Sequence, residues 1–207
     1  MKELQIINVL RELDARLEEE NNQLKVISPE ERGKNRDNMM LAVGSQTGQF
    51  LNMLLKTQGG KRILEIGTSV GYSTIWLAEA ARANGGCVTT LECVASKQAQ
   101  AVENIRKAGL EDFVDFQFGD AVKLLEDFPG SWDFVLLDVW KDLYIPCFDQ
   151  FYQKLSLGAI VVADNITFPP DFYPIMKAYQ EYVRAKPDLD SIQIDIGQGL
   201  ELTRKEI

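Results

Sequence analysis

The chain has 207 residues, 31 acidic against 22 basic side chains, a net charge of −9 and no histidine. Without histidine it lacks the commonest general base, the commonest zinc ligand and any Ser-His or Cys-His nucleophile pair. The acidic balance opposes docking on nucleic acid or anionic membrane surfaces, which draw on clustered Lys and Arg.

An apolar content of 45% at this length fits one domain around one core. Cys87, Cys93 and Cys147 are an odd number without C-x-x-C spacing, so neither a disulfide framework nor a zinc knuckle is expected. A reducing, cytoplasmic setting follows as the expectation. Residues 1–20 are charged throughout and no apolar run reaches the ~18 residues of a spanning helix, so neither a leader nor a membrane span is read.

Along the chain, Leu4, Ile7, Leu10, Leu13 and Leu17 recur at three- and four-residue steps, which predicts an amphipathic helix over residues 2–19 that caps the core or a partner subunit. Residues 18–38 are polar, hold Pro29 and Gly33, and read as a lid or entrance. A second helix over residues 46–56 follows Gly44-Ser45, with Ser45 as its expected N-cap. These elements make a helical cap over residues 1–57.

From residue 61 the pattern changes to short apolar runs at residues 62–66, 87–91, 114–118, 134–137 and 159–163, separated by helical stretches at 72–83, 95–108, 121–126, 143–153 and 171–184. Near-continuous hydrophobicity means strands covered on both faces, so the prediction is a doubly wound, mostly parallel α/β sheet. Residues 191–196 and 200–204, joined by Gly197-Gln198-Gly199, predict an antiparallel hairpin at one edge and bring the sheet to about seven strands. In such sheets ligands sit beyond the C-terminal strand ends, where strand order reverses.

The first strand runs into Glu65-Ile66-Gly67-Thr68-Ser69-Val70-Gly71-Tyr72-Ser73, a glycine turn opening a helix. A pyrophosphate loop would read G-x-G-x-x-G; Ser69 breaks that pattern, and Glu65 would repel phosphate while suiting a cationic amine. Glu92 ends the second strand, where a carboxylate can accept from a ribose diol, and Asp120-Ala121 follow the third, where they can meet an adenine edge. Taken singly, these residues are equally a turn glycine, a solvated charge and a helix cap. Together they resemble the first motif region of the class I S-adenosylmethionine-dependent methyltransferases, E-x-G-x-x-x-G. By that resemblance Gly67, Tyr72 and Ser73 would hold the methionine part, with Glu65 beside it, Glu92 the ribose, and Asp120 and Ala121 the adenine.

The fourth strand runs into Asp138-Val139-Trp140-Lys141-Asp142-Leu143-Tyr144 and the fifth into Asp164-Asn165. Asp138 and Asp164 are about one βα unit apart, so they fall at one sheet edge, where two carboxylates and an amide suit Mg²⁺, or Ca²⁺ and Mn²⁺, better than zinc. An ordinary turn and a helix cap are the bland alternatives. Lys141 beside such a cation could have its pKa lowered far enough to take up a proton.

The pairing of L-D-V-W-K-D-L-Y-I-P with V-V-A-D-N resembles the cation-dependent O-methyltransferases, catechol and caffeoyl-CoA O-methyltransferases, and is closer to the former. The similarity runs from about residue 40 to 171, including Ala42-Val43-Gly44. It implies that Asp138, Asp164 and Asn165 hold a divalent cation, that Lys141 with Asp138 is catalytic, that Asp138, Val43 and Trp140 contact S-adenosylmethionine, and that the chain forms a homodimer acting on a small hydroxylated molecule, a catechol-like vicinal diol. Two departures stand out: Val139 replaces the His that follows the metal-binding Asp in catechol O-methyltransferase. Ile192 falls where that enzyme has a Glu for the second hydroxyl, and Glu201 is not its replacement. The same family includes tRNA hydroxyuridine methyltransferases, which the charge opposes. A non-catalytic S-adenosylmethionine-binding protein and a nicotinamide-dependent oxidoreductase also remain, the latter weakened by Ser69.

Overall fold

The computed structural model of the chain describes residues 3–26 and 36–206. Its centre is a seven-stranded sheet of order β3-β2-β1-β4-β5-β7-β6. The strands are β1 (Arg62–Ile66), β2 (Cys87–Glu92), β3 (Val114–Phe118), β4 (Trp132–Leu137), β5 (Leu155–Ala163), β6 (Leu189–Ile194) and β7 (Leu200–Lys205). The first five are mutually parallel, β7 runs antiparallel to β5, and β6 closes the edge antiparallel to β7. The doubly wound sheet and its C-terminal hairpin are those read from the sequence.

Seven α-helices flank the sheet among the described residues: α1 (Leu4–Leu24), α2 (Gly44–Gln58), α3 (Tyr72–Asn84), α4 (Ala95–Ala108), α5 (Ala121–Asp127), α6 (Tyr144–Phe151) and α7 (Tyr173–Arg184). Alternation along the strands feeds two cores. On one face Ile63, Val88, Phe134 and Val162 belong to a buried cluster with residues of α1 to α4. On the other, Leu64, Leu91, Val135 and Val161 cluster with residues of α5 to α7. β1 and β4 lie at the centre and are almost wholly buried, which is why their sequences lack polar alternation.

Several boundaries differ from the sequence reading. Helix α1 continues to Leu24, into the stretch read as a lid, and its buried stripe is Ile6, Val9, Leu10 and Leu13. Leu4 is 75% exposed, because it precedes Ile6 by about 200° of helix rotation. The rest of the expected lid includes residues 27–35, which lie outside the described residues. Ser45 is not an N-cap: α2 starts at Gly44, Val43 holds the cap position, and no side chain caps it. β6 starts and ends two residues earlier than expected, because the Ile196 N–H turns back to the Ile194 carbonyl at 3.0 Å and ends the ladder.

Candidate active site

Strand order reverses between β1, whose crossover leads to β2, and β4 on its other side, so the loops after β1 and β4 open a crevice. Gly67 has φ +107°, and a methyl group there would collide with the Asp138 carbonyl, so only glycine lets the two loops meet. The Asp138 N–H donates to the Ile66 carbonyl (2.9 Å) and the Asp164 N–H to the Leu137 carbonyl (3.1 Å), which brings Asp138 and Asp164 to adjoining strand ends.

On the β1 side, Glu65 is completely buried. Its Oε2 accepts from the Thr74 and Thr90 hydroxyls at 2.5 and 2.6 Å, whereas Oε1 is buried without a partner. Burial pushes the carboxyl up to about 7, against the opposing pull of the Ser73, Thr74 and Thr90 hydroxyls around it. A cationic amine at Oε1 would favour the ionised form that burial disfavours. Glu92 is committed differently: Oε2 accepts from the Ser69 N–H (2.8 Å), and Oε1 from the N–H groups of Cys93 (2.9 Å) and Val94 (2.8 Å). The Gly119 N–H donates to the Glu92 carbonyl (2.9 Å), so the turn leading to Asp120 and Ala121 adjoins Glu92. Asp120 is exposed and caps α5 by accepting from the Lys123 N–H (3.1 Å).

Residues 40–43 lie over the glycine loop. Glu20 at the end of α1 accepts from the N–H groups of Met40 (2.6 Å) and Leu41 (2.9 Å), and the Ser69 hydroxyl donates to the Met40 carbonyl (2.6 Å). Val43 is buried at the start of α2. The Tyr72 ring is buried at the start of α3, and its hydroxyl donates to Asp14 of α1 at 2.6 Å.

On the β4 side, Asp138, Lys141, Asp164 and Asn165 converge. Lys141 Nζ donates to Asn165 Oδ1 (2.6 Å), to the Tyr144 hydroxyl (2.7 Å) and to the Val139 carbonyl (3.3 Å), and stands 3.8 Å from Asp138 Oδ1. The Tyr144 hydroxyl donates to the Asp164 carbonyl (2.9 Å). Asp164 Oδ1 is buried without a partner. Burial, reinforced by the Asp138 charge, pushes Asp164 up to about 8. Burial also raises Asp138, against the pull of Lys141, and lowers Lys141, against the pull of Asp138 and Asp164. Trp140 is 38% exposed beside this group, its carbonyl accepting from the Leu143 N–H (2.8 Å).

Tyr144 and Gln198 are additions to the expected set. Tyr144 lies three residues after Lys141 in the same motif, a spacing that puts both on one side of a helical turn. Gln198 reaches Asn165 across 33 residues, and nothing local in the sequence signals that contact. Glu201 is fully buried and bound to Arg184, Gln180 and Ser191, a structural anchor for the hairpin.

Among the described residues no group of three or more His, Cys, Asp or Glu side chains is gathered for a metal. Two carboxylates and the Asn165 amide remain as a mixed oxygen set. An unpartnered buried Asp164 oxygen, next to a second acid that raises its pKa, fits an added cation. The unpartnered Glu65 oxygen likewise fits an amine-bearing group at the glycine loop.

Beside Lys141 a cavity of about 300 Å³ is lined by Asp142, Ile145, Pro174, Ile175, Ala178 and Tyr179. No described helix is long and apolar enough to cross a membrane.

A sequence profile of the O-methyltransferase family matches residues 15–206. Caffeoyl-CoA O-methyltransferase 1 of Zea mays is 29% identical over 187 residues, covering 80% of this chain and 72% of that protein. A catechol O-methyltransferase of Niastella koreensis is 36% identical over 130 residues, covering 61% of this chain and 58% of that protein. The crystal structure of an O-methyltransferase from Bacillus cereus in complex with SAH superposes with a TM-score of 0.72 at 25% identity, covering all of this chain and 92% of that one.

Proposed function

This chain belongs to the O-methyltransferase family, and on that premise we propose that it moves a methyl group from S-adenosylmethionine to a hydroxyl of a small aromatic vicinal diol with the help of a divalent cation. The observation that carries this reading is the Lys141 ammonium held 2.6 Å from Asn165 and 3.8 Å from Asp138, next to an unpartnered buried oxygen of Asp164.

Asp138, Asp164 and Asn165 are the residues that would hold the cation. When bound, a Mg²⁺-like ion supplies Lewis acidity and a two-point template for a diol's oxygens. Lys141 takes the proton from the reacting hydroxyl at Nζ; burial favours its neutral form, and the Tyr144 hydroxyl and the Val139 carbonyl fix its position. Glu65 accepts from the amine of the methionine part through Oε1, with Gly67 and Ser73 around it. Tyr72 contributes through the backbone of the first turn of α3, since its hydroxyl is engaged with Asp14. Glu92 meets the ribose, Asp120 and Ala121 the adenine, and Val43 and Trp140 line the donor. S-adenosylmethionine itself supplies an electrophilic methyl.

The acceptor is placed in the cavity beside Lys141, whose size suits one substituted ring and whose walls are mainly apolar. Among the described residues lining it, Lys141 is the one cation and Asp142 the one acid. That balance favours a free diol over a coenzyme A thioester, whose phosphates call for several cations. A homodimer would use the C-terminal hairpin, since α1 spends its apolar stripe on its own core.

The test is a calorimetric titration with S-adenosylhomocysteine and with nicotinamide nucleotides, followed by turnover on free catechols and on a coenzyme A thioester of the same ring. Saturable binding of S-adenosylhomocysteine alone and methylation of the free catechol are expected. Transfer to the thioester alone would reassign the acceptor, and binding of a nicotinamide nucleotide alone would end the methyltransferase reading.

A further inference from the structure

Asn165 has an amide whose two ends differ chemically but hardly in shape, so something must decide which end faces Lys141. Its Oδ1 accepts from Lys141 Nζ at 2.6 Å. Its Nδ2 donates to Gln198 Oε1 at 2.8 Å and leans on Asp164 Oδ2 at 3.3 Å. Turned over, the amide would set NH₂ against an ammonium, and oxygen against the oxygens of Gln198 and Asp164. Each contact would then pair like with like.

Gln198 is held where it can do this. It sits between Gly197 and Gly199 in the turn joining β6 to β7. Its carbonyl accepts from the Thr167 N–H (3.1 Å) and hydroxyl (2.9 Å), and the Ile166 N–H donates to the Gly199 carbonyl (2.9 Å). Gly199 has φ +81°, and a Cβ there would stand 2.7 Å from the Thr167 hydroxyl, so the turn lies tight against the segment that follows Asn165. Asn165 itself has φ +56°, a left-handed conformation that asparagine tolerates. The hairpin is therefore latched to the end of β5 through its backbone, and the Gln198 side chain is the one element of the latch that touches the amide.

We propose that Gln198 is a positioning residue: by accepting from Asn165 Nδ2 it keeps Asn165 Oδ1 turned toward Lys141 Nζ, as a donor oxygen for the cation. The proposal rests on the reading above that Asn165 is a cation ligand. It adds that the ligand's orientation is set from the C-terminal hairpin, a part of the chain that supplies no ligand of its own. Gln198→Met removes the acceptor at nearly constant length, and Gln198→Glu keeps it.

The experiment is a double-mutant cycle read as Mn²⁺ and Mg²⁺ affinity by calorimetry, with thermal unfolding in chelator as the control on folding. Gln198→Met should weaken cation binding by about tenfold, within the range for partners that orient metal ligands, with an unchanged unfolding temperature. Gln198→Glu should bind at least as tightly as the wild type. In an Asn165→Ala background both Gln198 substitutions should be silent. If Asn165→Ala weakens the cation and Gln198→Met does not, or if the Gln198 effects persist without Asn165, the positioning role is overturned while the ligand reading stands. If Asn165→Ala leaves cation affinity unchanged, the ligand reading falls and the positioning role with it.

Discussion

Lys141 Nζ donates to Asn165 Oδ1 at 2.6 Å, and that bond joins the end of β4 to the end of the adjoining β5, on one side of the crevice where strand order reverses. Both partners are the residue types the chemistry asks for. A lysine largely out of water and hemmed by acids is pulled two ways, its neutral form favoured by burial and its charged form by Asp138 and Asp164.

Lys141→Met should therefore lower kcat for methyl transfer by about 10²-fold or more, the usual worth of a positioned base, while affinity for S-adenosylhomocysteine stays within about twofold. Steady-state kinetics beside calorimetry separate the two. A variant with wild-type kcat would remove Lys141 from proton transfer.

If Glu65 holds the methionine amine, donor binding should depend on pH. Its carboxyl stands at about 7 in the folded chain against an ordinary 4.5. A raised carboxylate favours folding below 4.5 and loses that contribution as pH rises to 7, so the unliganded protein should lose about 3 kcal/mol over that window. An amine docking on Glu65 Oε1 needs the ionised form. Affinity for S-adenosylhomocysteine should then fall by about tenfold per pH unit below 7, with proton release detectable by calorimetry in buffers of different ionisation enthalpy. Glu65→Gln should flatten both profiles. An unchanged pH dependence would place the amine elsewhere.

Gly67→Ala tests the contact between the β1 and β4 loops. A methyl group would strike the Asp138 carbonyl, at a φ of +107° that disfavours any side chain. A loss of about 3 kcal/mol is expected, which for a chain of this size lowers the unfolding temperature by roughly 6–12 °C. Differential scanning calorimetry gives the answer directly.

Glu201→Ala should cost about 3 kcal/mol, because it strands Arg184, Gln180 and Ser191, which all donate to that carboxylate. Urea unfolding measures the loss. Since Glu201 serves the hairpin rather than the substrate, KM for a catechol should move less than stability does.

The sheet was legible because central strands such as β1, the observed residues 62–66, are near-continuous apolar runs, while the edge strand β3, the observed residues 114–118, alternates Val114, Phe116 and Phe118 with polar residues. β5 begins four residues before the expected start, because Ser156 and Gly158 interrupt its hydrophobicity where its register with β4 is also broken. That Asp138, Lys141, Asp164 and Asn165 lie together could be read in advance, because Asp138 and Asp164 directly follow β4 and β5 and the other two come soon after. Contacts made across the fold were not legible. The turn of Tyr72 toward Asp14, the hold of Glu20 on Met40 and Leu41, and the reach of Gln198 to Asn165 depend on which elements pack together, and no local pattern encodes that.

We propose that methyl transfer to a diol requires a cation held by Asp138, Asp164 and Asn165. The most direct test is the rate of transfer from labelled S-adenosylmethionine to catechol by chelator-treated protein, before and after Mg²⁺ is restored. Transfer should be lost in chelator and return with Mg²⁺ in the wild type but not in Asp164→Asn; full-rate transfer in chelator would contradict the account.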